Sequence, residues 1–139
     1  MRPALRETKK MIKRVSDRFA NVPFRYCEAR EAMKMALNIC DSPPINFLMT
    51  LDGNQLSIKA NAPTFGPQPF FAIKTSSGEY LHDNLDFQKP FRSWSYVFDE
   101  NSIQLEAVEK IGIGTCDNVG NVTTAILNPS NNKQTNSHI

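Results

Sequence analysis

The chain has 139 residues, 40% of them apolar and 22% charged, with a net charge of +2. That is the make-up of one globular domain, not of a fibrous, disordered or disulfide-framed chain. No run approaches the roughly 18 apolar residues of a membrane-spanning helix, and the N-terminus lacks a signal peptide's apolar centre, so neither a membrane span nor export by a signal of its own is expected.

The charge is unevenly placed. Residues 1–40 carry ten Lys/Arg against four Asp/Glu, a balance of +6, while residues 41–139 carry six against ten, or −4. A basic head on an acidic body raises a nucleic-acid or membrane-surface arm as a reading. The basic residues keep helical phase, however, and no aromatics alternate with them as a single-strand binding surface requires. The plainer reading is the solvated face of a helix, and no nucleic-acid partner is expected.

Residues 3–20 read as a helix: Pro3 suits a first turn, and Leu5, Thr8, Ile12, Val15 and Phe19 recur at three- and four-residue steps. That narrow stripe must lie on something. Asn21-Val22-Pro23 ends it, and Val22–Tyr26 reads as a short buried strand. Glu28–Cys40 is a second amphipathic helix, with Ala29, Ala32, Met33, Ala36, Leu37 and Cys40 on one face. Asp41-Ser42-Pro43-Pro44 forms the boundary, because two prolines stop a helix and stiffen the connection.

Beyond the boundary the period becomes two. Ile45, Phe47, Met49 and Leu51 alternate, Asp52-Gly53-Asn54 turns, and Leu56, Ile58 and Ala60 alternate back. A Pro/Gly-rich loop at 61–69 leads to a strand with Phe71, Ile73 and Thr75, a turn at Ser76-Ser77-Gly78, and Glu79-Tyr80-Leu81. Residues 83–90 read as a polar excursion. Trp94, Tyr96 and Phe98 alternate in the next strand, Ile103 and Leu105 in another. Ile111, Ile113 and Thr115, then Val122, Thr124 and Ile126, form a closing hairpin around an Asp/Asn/Gly turn. The expected architecture is mainly β, an immunoglobulin-like or fibronectin-like antiparallel β-sandwich of about seven strands behind an α-helical segment. The expected divisions are 1–42 (helix-strand-helix), 43–128 (sandwich) and 129–139, a tail of Ser, Asn, Lys and Gln expected to be disordered.

Phe24-Arg25-Tyr26-Cys27-Glu28-Ala29-Arg30-Glu31-Ala32-Met33 resembles the last strand and helix of polysaccharide deacetylase-like catalytic domains, which often close with a Tyr-Cys-x-Ala-x-Glu-Ala-Met run. Asp117-Asn118-Val119-Gly120-Asn121 is similar to the Asp-x-x-Gly-Asn hairpin that ends many bacterial and archaeal surface sandwiches. The resemblance implies an accessory module attached to such an enzyme. Its partners would be an upstream catalytic domain or a polysaccharide, and the parent protein would work at the cell surface or outside the cell. The family's Thr-Phe-Asp-Asp-Gly nucleus and His-x-x-x-His metal pair are absent from this sequence, so no catalytic residue is assigned to it.

The residues themselves offer few chemical sites. Cys27, Cys40 and Cys116 lack CxxC spacing, and His82 and His138 lie far apart, so neither a zinc site nor another cofactor is expected. A Cys27–Cys40 disulfide is left open. Asp117, Asn118 and Asn121 offer three oxygens, short of the six or more that calcium takes, and turn chemistry accounts for them. The polar run Tyr80-Leu81-His82-Asp83-Asn84-Leu85-Asp86 is the richest in functional groups. Tyr80, His82, Asp83 and Asn84 are the candidate binding residues, against the plainer reading of a solvated turn. Trp94 and Tyr96 suggest a sugar platform, but an aromatic face shared with Phe98 on a central strand is read as core. Two function classes remain: a non-catalytic accessory module that meets glycan or stabilises the enzyme, and a protein–protein interaction module. A small metal-dependent hydrolase lacks the ligands its chemistry needs.

Overall fold

The computed structural model describes residues 2–40 and 42–138, without the side chain of Arg2. Asp41, placed at the expected boundary, and Ile139, the end of the expected tail, lie outside the described residues. The chain divides into two compact units, Met1–Asn38 and Ile39–Ile139.

The first unit holds helices α1 (Arg2–Arg18) and α2 (Ala29–Ala36). α2 is shorter than the expected 28–40. Asn38 takes a left-handed backbone (φ 51°), and the amides of Leu37 and Asn38 close on Met33 O and Met35 O. That is how a helix ends when its orphan carbonyls are satisfied locally. Residues 22–26 are not the expected buried strand: they carry no strand pairing and are exposed throughout. Phe24 and Tyr26 pack edge to face, 5.6 Å between centroids. No described residue of this unit is buried. A segment of this length has too little interior to hide its own apolar side chains.

The second unit is a β-sandwich-like pair of antiparallel sheets. One has the order β1-β2-β6-β5 and the other β4-β3-β7-β8-β9. The strands are β1 (Phe47–Asp52), β2 (Gln55–Ala60), β3 (Phe70–Thr75), β4 (Tyr80–His82), β5 (Asp86–Lys89), β6 (Ser93–Val97), β7 (Val108–Cys116), β8 (Val122–Asn128) and β9 (Lys133–His138). Alternation drives the layering: Phe47 and Met49, Leu56 and Ile58, and Trp94 and Tyr96 point inward from the first sheet. Phe71, Ile73, Ile111, Ile113, Ala125 and Leu127 meet them from the second. Burying a side chain of this size contributes about 1.5–3 kcal/mol. Trp94 is 1% exposed, its indole N–H donating to Pro67 O at 3.0 Å, so the Trp94–Tyr96–Phe98 face is core as expected. Gly53, at φ 56°, supplies the left-handed position in the two-residue turn between β1 and β2.

Three expectations are corrected. Residues 86–89 of the polar excursion form β5, held at the sheet edge by backbone pairing to β6 with no buried side chain. The strand expected at Ile103 and Leu105 is instead a 3-10 turn at Leu105–Ala107. The tail expected to be disordered forms β9, paired with β8 from Thr123↔His138 to Asn128↔Lys133. Side chains build the connecting turn. Asn128 Oδ1 accepts from the Ser130 amide and hydroxyl, Asn131 Oδ1 accepts from the Lys133 amide, and Asn132 is left-handed. The Gln134 amide then acts as a substitute peptide for the open edge of β1, donating to Phe47 O (2.5 Å) and accepting from Met49 N–H (2.8 Å). A polar strand is thus kept by hydrogen bonds, not burial, and it ties one sheet to the other.

Candidate functional site

Alternation that sends Phe71, Ile73, Ile111 and Ile113 inward leaves their neighbours on the outer face of the five-stranded sheet. Across that face one row runs His82, Ala72, Gly112, Ile126, Thr135, and the next runs Phe70, Gly114, Thr124, Ser137. The middle of the face is therefore almost bare backbone, bordered by Phe70 (64% exposed) and Tyr80 (75%) on one side and Ile126 (48%) on the other. A shallow hollow of about 250 Å³ lies over Ala72, Lys74, Tyr80, Lys110, Gly112 and Ile126.

Nothing among the described residues requires those glycines. Neither has a positive φ, and a Cβ would meet only ordinary contacts, 3.8 Å to Ala72 O at Gly112 and 3.7 Å to Thr124 Cγ2 at Gly114. Glycine in a strand interior costs about 0.5–1 kcal/mol relative to alanine. It otherwise marks a bulge, a bend or the close approach of another molecule. The bulge in this ladder lies elsewhere, between Lys74 and Thr75 where β3 meets β7. Around it Lys74 Nζ pairs with Glu109 at 2.6 Å, and Lys110 with Glu109 at 3.6 Å. The hydrogen bond raises the Lys74 pKa and lowers that of Glu109, with desolvation opposing both shifts. This end of the face is a fixed ionic rim.

The four sequence-derived candidates divide between two hollows. Tyr80 and His82 share the outer face of β4, two residues apart, and Tyr80 belongs to the glycine hollow. His82 stands edge-on to Phe70, centroids 6.2 Å apart. With Gln68, Pro69, Asp83 and Asn84 these two line a second hollow of about 390 Å³. Its polar groups are already ordered. Asp83 Oδ2 accepts from the Tyr96 hydroxyl (2.9 Å) and its Oδ1 from the Asn84 amide (2.7 Å). Gln68 Nε2 donates to Asn84 Oδ1 (3.0 Å). Burial, then the bond to Asp83, pushes the Tyr96 phenol up to about 12. Asp83 thus serves as a fixed acceptor at the rim. Rings and amides presented this way can hold a flat polar ligand; no nucleophile with an adjacent base stands among them.

The Asp117 turn is used up by its own chain. Oδ1 accepts from the amides of Val119 and Asn121, and Oδ2 accepts from the Ser42 hydroxyl (2.6 Å) and the Asn121 side-chain amide. Burial alone would raise its pKa, but these four donors outweigh it and hold the carboxyl below its ordinary value. Among the described residues no three His, Cys, Asp or Glu side chains gather as a metal site requires. All three cysteines are free thiols, Cys27 and Cys40 exposed. No described helix is long and apolar enough to cross a membrane.

Sequence reasoning missed Phe70, Gly112, Gly114 and Gln68. The first three were legible by subtraction: with Phe71, Ile111 and Ile113 assigned to the core, an exposed phenylalanine and two glycines had to share the outer face. Gln68 carried no such signal. Comparison with protein-family models, with curated proteins and with solved structures gave no match to this chain.

Proposed function

We propose that the β unit is a non-catalytic, immunoglobulin-like recognition module that lays an extended glycan across the outer face of its five-stranded sheet, as an accessory to a polysaccharide deacetylase-like enzyme. The sheet orders support the immunoglobulin-like part of this reading. The order β1-β2-β6-β5 is the one expected of strands A-B-E-D, and β4-β3-β7-β8 is the one expected of a C, F, G set with one added strand beside C. β9 is then an appendix beyond strand G.

The observation that carries the glycan reading is the bare Gly112–Gly114 floor between exposed Phe70, Tyr80 and Ile126. A pyranose ring is a shallow chair, apolar on its C–H faces and polar at its hydroxyl-bearing rim. It stacks on an aromatic side chain, sits close where no Cβ intervenes, and finds edge partners in Tyr80, His82, Asn84 and Gln68. Few, well-placed polar groups around an apolar floor are the usual make-up of a ligand site. The test is retention on insoluble acetylated chitin and on xylan, repeated with Tyr80→Ala and Phe70→Ala. Binding by the wild type that both variants weaken at least tenfold, with thermal melting unchanged, supports the reading. No retention of the wild type, or retention indifferent to both changes, overturns it. The alternative, a protein–protein interaction module, is favoured by the wholly exposed edge strand β4, onto which a partner strand can pair.

A further inference from the structure

We propose that the N-terminal helical unit is a surface-binding element for anionic membranes, with α1 lying in the plane of the lipid interface. This inference is independent of the glycan reading, since it uses only residues of the first unit.

At about 100° per residue, Leu5, Thr8, Met11, Ile12 and Val15 fall within about 120° of the helix circumference, and Phe19 follows directly past the helix end beside the same hollow as Met11, Ile12 and Val15. Val22 and Phe24 extend this apolar surface, the chain turning back through Val22 N–H to Phe19 O (2.8 Å). Met11, Ile12, Val15, Phe19, Val22 and Phe24 line an open hollow of about 300 Å³. These side chains are left in water: Leu5, Met11, Val15, Phe19, Val22 and Phe24 are each 50–57% exposed. The apolar face therefore needs an occupant.

Charge identifies the occupant. α1 carries seven Arg/Lys and only two acids, Glu7 and Asp17. Farther along, Glu28 and Glu31 pair with Arg30 and Arg25, so they do little to offset α1. Lys9 also lies over the Tyr26 ring, 6.0 Å from its centroid. A second copy seated on the same face would bring two strongly basic units together and be repelled. Nucleic acid would neutralise the charge but leave the apolar face uncovered. An anionic lipid surface satisfies both: the phosphates meet the basic arc, and Leu5, Met11, Val15 and Phe19 enter the acyl boundary. One apolar face, a Lys/Arg-rich polar face and low overall hydropathy are the marks of helices that lie on membranes and do not cross them.

The test is sedimentation of the full chain with vesicles of phosphatidylcholine alone and of phosphatidylcholine with about 30% phosphatidylglycerol. Binding should be at least tenfold tighter to the anionic vesicles and should fall steeply as salt rises, because these charges are screened within a Debye length. Each basic residue near an anionic surface is worth about fivefold in affinity, so Lys10→Gln with Lys13→Gln should weaken binding at least tenfold. Val15→Ser with Phe19→Ser should abolish it. Far-UV circular dichroism, which reports the helix content of the first unit, serves as the folding control for both variants, with Trp94 emission reporting the β unit. Equal binding to neutral vesicles overturns the charge argument. Absence of vesicle binding overturns the proposal, and a dimer lost in Val15→Ser/Phe19→Ser would then identify a second copy as the occupant.

Discussion

Replacing Gly112 by threonine separates what the fold needs from what the outer face does. The strand interior at Gly112 has no positive φ, and the nearest atom to an added Cβ is Ala72 O at 3.8 Å. Glycine there forgoes about 0.5–1 kcal/mol against alanine, and a β-branched residue recovers part of the roughly 1 kcal/mol span of strand preferences. Gly112→Thr should therefore stabilise the β unit by about 0.5–1 kcal/mol. At about 4–8 °C per kcal/mol for a domain of this size, the melting temperature should rise roughly 2–8 °C. The chain has a single tryptophan, buried at position 94, so its emission reports the transition directly. The same substitution places a branched side chain on the floor between Tyr80 and Ile126, and polysaccharide retention should drop at least tenfold. A lower melting temperature would mean that Gly112 serves the fold. Unchanged retention in the stabilised protein would mean that the floor faces no ligand. Either result refutes the reasoning.

Three further outcomes rest on the hydrogen-bond map. The Tyr96 phenol is raised in the folded state to about 12, so its proton is held more tightly there than in the unfolded chain. Stability should be intact below about pH 10 and decline as pH rises from there towards 12, a decline that denaturant titrations should find reduced in Tyr96→Phe. Asp117 is lowered, so its contribution is present above about pH 4 and lost as acid protonates it. Asp117→Ala, which strands four donors, should cost about 2–4 kcal/mol in urea unfolding at neutral pH and flatten that acid limb. Gln134→Ala removes two hydrogen bonds to the β1 edge, and about 1–3 kcal/mol of stability should go with them. Hydrogen exchange should quicken at Met49 N–H while Leu56 and Ile58 stay protected.

Where burial dictates the residue pattern, the fold was legible in the sequence. Phe47/Met49, Leu56/Ile58, Phe71/Ile73, Trp94/Tyr96 and Ile111/Ile113 each alternate because one face meets the core, and the period of two reports that directly. β5 and β9 were illegible for the converse reason. Asp86–Lys89 and Lys133–His138 bury no side chain, so only backbone pairing to β6 and β8 defines them. In β8 the legible face was the wrong one for the core: Val122 and Ile126 look outward, and the small residues Thr123 and Ala125 with Leu127 fill the interior. Residues 22–26 misled in the other direction, an apolar run that no sheet receives. Of the candidate site, the polar run from Tyr80 to Asn84 was conspicuous in sequence. Its division between two hollows depends on the strand register that sets Tyr80 opposite Lys74 and His82 opposite Ala72.

The most direct test of the glycan-module reading is a residue-resolved NMR titration of the ¹⁵N-labelled chain with soluble acetylated chito-oligosaccharide. The account predicts saturable amide shifts clustered at Phe70, Ala72, Tyr80, His82, Gly112 and Gly114, with Asp117, Val119 and Asn121 at the turn unmoved. Shifts confined to other parts of the chain, or none at millimolar ligand, would contradict it.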